Sequence, residues 1–99
     1  MVRSRSIIAT PPGATIKEQL NDRGMSQKEF AVRIDMSEKH VSKLINGEVQ
    51  LTPEVAVRLE IVLGVPARFW NNLEAIYREK LIKIAAEKAM DADENLARQ

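Results

Sequence analysis

The stretch SQKEFAVRIDMSEKHVSKLING, Ser26 to Gly47, decides the fold, because it writes the start of a helix twice in quick succession. Ser26 stands where its hydroxyl can accept from the free N–H groups of a first turn; Glu29 follows three residues on to complete a capping box, and Met25 can staple onto Phe30. Phe30, Ala31 and Ile34 then recur at helical steps as a buried face, with Gln27, Lys28 and Arg33 pointing outward. Only Asp35 and Met36 intervene before the next cap, Ser37, whose staple pair is Met36 and Val41. The helix that Ser37 opens turns Val41, Leu44 and Ile45 inward and Glu38, Lys39, His40, Ser42 and Lys43 outward. It closes at Asn46-Gly47, a pair suited to the left-handed conformations that end a helix.

Working outward, the same periodicity predicts three more helices and no strand. Upstream, a helix runs from about Gly13 to Arg23 with Ile16 and Leu20 on one face, and Gly24 is placed to end it. Downstream, LTPEVA supplies Thr52 as cap, Pro53 at the first helical position and Glu54 near the positive dipole end. Val55, Ala56, Leu59, Val62 and Leu63 make its core stripe, and Gly64 closes it. A fifth helix starts near Pro66 and carries Phe69, Trp70, Leu73, Ile76, Tyr77, Leu81 and Ile84 to about Met90, with Phe69 and Trp70 packed as core against the fourth. At about 1.5 Å per residue it reaches roughly 35 Å, more than the rest of so small an all-α domain needs for its own cover. The ending DADENLARQ is polar and is expected to fray.

With 99 residues and 44% apolar content, the chain holds one domain with a single modest core. It has no Cys and one His, which excludes disulfides, the usual zinc ligand sets and a thiol nucleophile, so neither metal nor cofactor is expected. Nothing pairs a nucleophile with a base or cradles a phosphate in glycines, so no catalytic residue and no small-molecule substrate are expected. The opening MVRSRSIIATPP has too brief an apolar run for a signal-peptide core, and no segment approaches a membrane span; a reducing cytoplasm suits this composition. The formal charge is +1, and Arg23 to Lys43 carries five basic and three acidic residues, so any basic surface must arise from local sorting.

Two short, capped helices across a tight turn, the second with a polar outer face, define a helix-turn-helix unit, whose second helix can enter the major groove of DNA. From Pro11 to Tyr77 the chain resembles the Cro/phage-repressor-like helix-turn-helix family and, within it, the HigA-type (VapI-like) antitoxins or plasmid-maintenance antidote proteins. The marks are PPG before the first helix, RGMSQKEFA at the second, VSKLINGE at the third, LTPEVAVRLEIVLG at the fourth and FWNNLEAIY in the fifth; their order and spacing carry the likeness. At the turn, where the family usually has Gly, this chain has Asp35, which tolerates a left-handed backbone better than most residues.

The resemblance implies a five-helix DNA-binding domain, usually dimeric, that represses its own operon and neutralises a RelE-like, mRNA-cleaving toxin. It places Glu38, Lys39, Ser42 and Lys43 at base edges of a double-stranded operator. Gln27 and Asn46 fall on the sugar-phosphate backbone, with Ser37 and His40 adding to that grip. Residues 1–11 then form an N-terminal arm, in which Arg3 and Arg5 either reach a minor groove or belong to a plain leader. Residues 12–90 make the domain, and residues 91–99 its polar tail. A residual apolar stripe on the far half of the fifth helix, with Ile76, Leu81, Ile84 and Ala85, suits a homodimer seam or a partner's docking surface. Three rival readings stand beside this one: a regulator without a toxin, the N-terminal reader of a longer protein, and an interaction module that has lost DNA binding. For the charged face of the third helix, the plain alternative is an ordinary solvated surface.

Overall fold

The computed structural model describes residues 8–98, with side chains described through Asp91; Arg3 and Arg5 lie outside the described residues. Five helices follow one another: α1 Pro12–Arg23, α2 Gln27–Ile34, α3 Glu38–Ile45, α4 Pro53–Leu63 and α5 Ala67–Arg98; no strand occurs among the described residues. Helices α2 and α3 pack on each other, α1 lies against α3, and α4 bridges α2 and α5. One core results, built from Ile16 and Leu20 of α1, Phe30, Ala31 and Ile34 of α2, Val41, Leu44 and Ile45 of α3, Ala56, Leu59 and Leu63 of α4, and Trp70 of α5. Leu51, from the loop before α4, joins it.

The boundaries follow from the caps. Ser26, Ser37 and Thr52 each sit in extended backbone and accept through their hydroxyls from the N–H groups of Glu29, His40 and Val55, at 3.0, 3.0 and 3.3 Å. Each such cap contributes about 1 kcal/mol. The capping box expected at α2 forms by half: Glu29 sends its carboxylate down the helix to Arg33 Nη2 at 2.8 Å, a cation one turn away. At the other ends, Gly24, Asp35 and Gly64 adopt left-handed backbone. Asn46 stays right-handed, and Gly47 alone takes the left-handed step after α3.

Helix α5 is anchored at its start. Glu60 of α4 reaches across the connection, and its carboxylate accepts from the Ala67 N–H at 2.8 Å. Trp70 is fully buried, and its indole N–H donates to Val65 O at 3.2 Å, so the largest core side chain keeps no unsatisfied donor. Phe69, expected beside it in the core, is 42% exposed. Neighbours on a helix diverge by about 100°, so only one of the pair can point inward. Phe69 instead lays its ring edgewise on Trp70, with centroids 5.3 Å apart and planes at 81°. The helix also runs past the expected end near Met90 to Arg98, since no Gly or Pro interrupts it and Ala92, Leu96 and Ala97 are helix formers.

Candidate nucleic-acid interface

Helix α3 is too short to be stable alone and depends on what it buries. Val41, Leu44 and Ile45 are 0%, 2% and 6% exposed and fix its rotation about its own axis. At about 100° per residue, the direction opposite that trio belongs to Lys39, Lys43 and Asn46, which fall within about 60° of one another; all three are exposed. Ser42 and Glu38 flank them on one side, Ser42 half-buried and Glu38 exposed. His40 takes the other flank, exposed, and borders a shallow groove with Met36, Ser37, Glu54, Val55 and Arg58. Of the sequence-expected set, the two lysines and Asn46 therefore form the crest of the outward face with Ser42 and His40 at its margins, whereas Glu38, seven positions before the buried Ile45, points to nearly the same side as that residue and is exposed because it opens the helix. Of the remaining expected contacts, Gln27 is half-buried at the start of α2, and Ser37 is exposed with its oxygen committed to the cap; its O–H is still able to donate.

Arg33, Arg58, Arg78 and Lys83 each pair with a glutamate four residues earlier, an orientation that favours the pair. Among the described residues Lys39 and Lys43 are tied to no carboxylate, and neither are Lys17, Lys28, Arg68 and Lys80; what sets the two lysines of α3 apart is their place on the crest of one outward face, where both ammonium groups are available to an anionic partner. Charged groups that are exposed and unpaired can meet phosphate or a guanine edge without first breaking an internal bond.

The face is held out by contacts that sequence reasoning missed. A side chain at Gly13 would collide with the backbone of Ile45, so α1 crosses the end of α3 at a distance only glycine permits. Gly47 meets Pro11 and the Tyr77 hydroxyl in the same region, at 2.9 and 3.2 Å from the position of an added Cβ. The PPG stretch is thus the seat for the end of the outward helix. Glu74 of α5 supports the following loop: its Oε1 accepts from the Leu51 N–H at 3.3 Å, while its Oε2 takes Arg78. Arg58 of α4 donates from Nη1 to the carbonyls of Ile34 and Asp35, at 3.3 and 3.1 Å. Its spacing from Glu54 is legible in the sequence; its reach to a turn 23 residues upstream is not.

The far part of α5 is a different surface. Ile76, Ile82 and Met90 are 49%, 69% and 61% exposed, while Leu81 and Ile84 are half-buried and Ala85 is exposed. Leu81, Ile84 and Ala85 fall within about 100° of arc, but Ile76 and Ala85, nine positions apart, point to opposite sides of the helix. The expected seam residues therefore do not share one face. Leu81 and Ile84 make its centre, and only one of the two outer residues can join them fully.

A capped pair of helices across a left-handed turn, with an outward helix carrying unpaired lysines, defines a DNA-binding helix-turn-helix regulator. The chain belongs to the helix-turn-helix family HTH_3, whose model matches residues 16–70. Among curated relatives it is 36% identical over 63 residues to the uncharacterized HTH-type transcriptional regulator YddM of Escherichia coli K12, covering 64% of this chain and 67% of that protein. It is 35% identical over 66 residues to YbaQ of the same strain, also an uncharacterized HTH-type transcriptional regulator, and spans only 58% of that protein's length. Among solved structures, an addiction module antidote protein of the HigA family from Coxiella burnetii superposes with a TM-score of 0.74 at 26% identity, over 87% of this chain and 92% of that one. The Pseudomonas aeruginosa antitoxin HigA, solved with the higBA promoter, gives a TM-score of 0.77 over 86% and 94% of the two chains; at 22% identity it shares the fold. The family is one of DNA-binding regulators, not an enzyme class, and among the described residues no helix is long and apolar enough to cross a membrane.

Proposed function

We propose that the protein is the antitoxin of a type II toxin–antitoxin module: a cytoplasmic homodimer that binds a double-stranded operator in front of its own genes and neutralises a RelE-like, mRNA-cleaving toxin. The outward face of α3 carries the DNA half of this reading, with the unpaired lysines 39 and 43 at its crest. Lys39, Lys43, Ser42 and Glu38 meet base edges, and Gln27, Ser37, His40 and Asn46 hold the sugar-phosphate backbone. The half-buried pair Leu81 and Ile84 of α5 supports a two-fold seam that spaces two α3 helices for successive half-sites. The toxin half rests on likeness to HigA-family antidote proteins over most of the chain. A regulator without a toxin is the second reading, favoured by the curated relatives, which are named as transcriptional regulators only.

The deciding measurement is binding of the purified protein to the DNA upstream of its gene, against scrambled DNA, across a salt series. Selective binding that weakens steeply with salt is expected; equal binding to both sequences, or none, sinks the DNA-reading function. Co-expression with the adjacent reading frame then separates the two readings: growth arrest by that frame alone, relieved by this chain, supports the antitoxin.

A further inference from the structure

We propose that Arg58 is a positioning residue for DNA recognition: from α4, its guanidinium clamps the left-handed turn between α2 and α3 and so sets the angle at which the α3 face is presented. The inference rests on the DNA-reading function proposed above and assigns a role to a residue outside the contact set named there.

The turn needs such a clamp. Asp35 has φ 58° and ψ 51°, and it is the only non-glycine residue with positive φ among those described. A Cβ in that region crowds the carbonyl oxygen that follows it, so the sequence here works against its own turn. The amides are satisfied locally, Asp35 N–H by Val32 O at 3.3 Å and Met36 N–H by Ala31 O at 3.0 Å. The carbonyls of Ile34 and Asp35 are left at the negative end of the α2 dipole, with no helical N–H to meet them. Arg58 Nη1 donates to both, and Nη2 donates to Glu54 Oε2 at 2.9 Å. Glu54 thus holds the fork from within α4 while the fork holds the turn.

The position of this clamp gives it its consequence. The end of α3 is fixed by α1, where Gly13 lies on Ile45. Arg58 lines two shallow grooves, one with Met36, Ser37 and His40 at the start of α3, the other with Ile34 and Asp35 at the end of α2. Removing the fork loosens the turn through which α2 hands the chain to α3, so that α3, still seated by Val41 and its far end, shifts most at the end that carries Glu38 and Lys39. Hydrogen bonds to base edges do not survive such a shift, whereas long lysine stems still follow phosphates. Loss of Arg58 therefore lowers selectivity more than general DNA affinity. Lysine cannot substitute, because one ammonium does not reproduce a planar fork across three acceptors on two elements.

The test compares the wild type, Arg58→Lys, Arg58→Gln, Asp35→Gly and the double variant Asp35→Gly with Arg58→Lys. Each is titrated with the DNA upstream of the gene and with scrambled DNA at one salt concentration, and amide hydrogen exchange is followed at Asp35, Met36 and Leu59. Arg58→Lys keeps the charge, so its affinity for scrambled DNA should stay within about twofold while selectivity falls on the order of tenfold. Exchange at Asp35 and Met36 should accelerate with Leu59 unchanged, a local opening that a general loss of stability would not produce. Asp35→Gly relieves the left-handed strain, so Arg58→Lys in that background should lose markedly less selectivity. If Arg58→Gln fails to fold, the two lysine variants decide. Wild-type selectivity retained by Arg58→Lys overturns the role given to Arg58 and leaves the DNA-reading function standing; a wild type that shows no selectivity overturns that function, and this role with it.

Discussion

Helix α3 and the far half of α5 both leave one side of the molecule uncovered, yet they are uncovered in opposite ways. The short helix hides all its apolar residues behind an exposed polar face, whereas α5 beyond Tyr77 leaves Ile82 and Met90 largely bare beside its charges, of which Lys83 is held by Glu79 at 3.3 Å and Lys80 by no carboxylate among the described residues. An open face with free charge is matched by a polyanion; an open face with exposed apolar side chains is matched by protein. The contrast also shows in how each is held. The short helix meets α1 at its far end and packs on α2 along its inner side, while α4 bonds the turn that precedes it, so its direction is a product of the tertiary structure. The long one keeps its direction by continuing its own backbone ladder.

The contrast can be broken most severely from inside. Leu44→Ala, at a position 2% exposed on the inner side of α3, should cost about 2–5 kcal/mol in denaturant unfolding. A cost below about 1 kcal/mol would mean that this side is not the anchor. The proposed dimer seam comes next. Leu81→Glu combined with Ile84→Glu should convert a dimer into a folded monomer in sedimentation and weaken operator binding by about a hundredfold, as the second half-site contact is lost. A dimer that survives both charges places the seam elsewhere. On the outer face of α3, Lys43→Ala should leave the melting temperature within a degree or two, cost about 1–3 kcal/mol on the preferred site and relax preference at one base position. Unchanged binding removes Lys43 from the interface. The smallest effect sharpens the difference between held and free charges. Glu79→Gln, which frees Lys83 on α5, should change stability by less than about 0.5 kcal/mol and leave operator affinity unaltered in a titration. A gain in DNA affinity would show that α5, too, meets phosphate.

Which parts of this were legible in advance follows from the range of the forces involved. Caps are local, and so Ser26, Ser37 and Thr52 announced their helices correctly, as Gly24 and Gly64 announced their ends. The rotation of α3 was legible for the same reason, since the spacing of Val41, Leu44 and Ile45 fixes which residues face away from them. Phe69 was misplaced because periodicity marks apolar positions without saying which of two neighbours wins the core. The apolar stripe expected of Ile76, Leu81, Ile84 and Ala85 on α5 does not hold as one face, because nine positions of helix carry Ile76 and Ala85 to opposite sides.

By itself, then, the amino-acid order determined five helices, the capped starts of α2, α3 and α4, and the apolar trio that α3 turns inward. Each of those depends on interactions within a turn or two of backbone. The tertiary structure alone decided that Gly13 would let α1 touch Ile45, that Glu60 would cap α5, and that Arg58 would grip the carbonyls of a turn far upstream. These are meetings between residues distant in sequence, and they exist only once burial of a shared core has set the helices at fixed angles to one another.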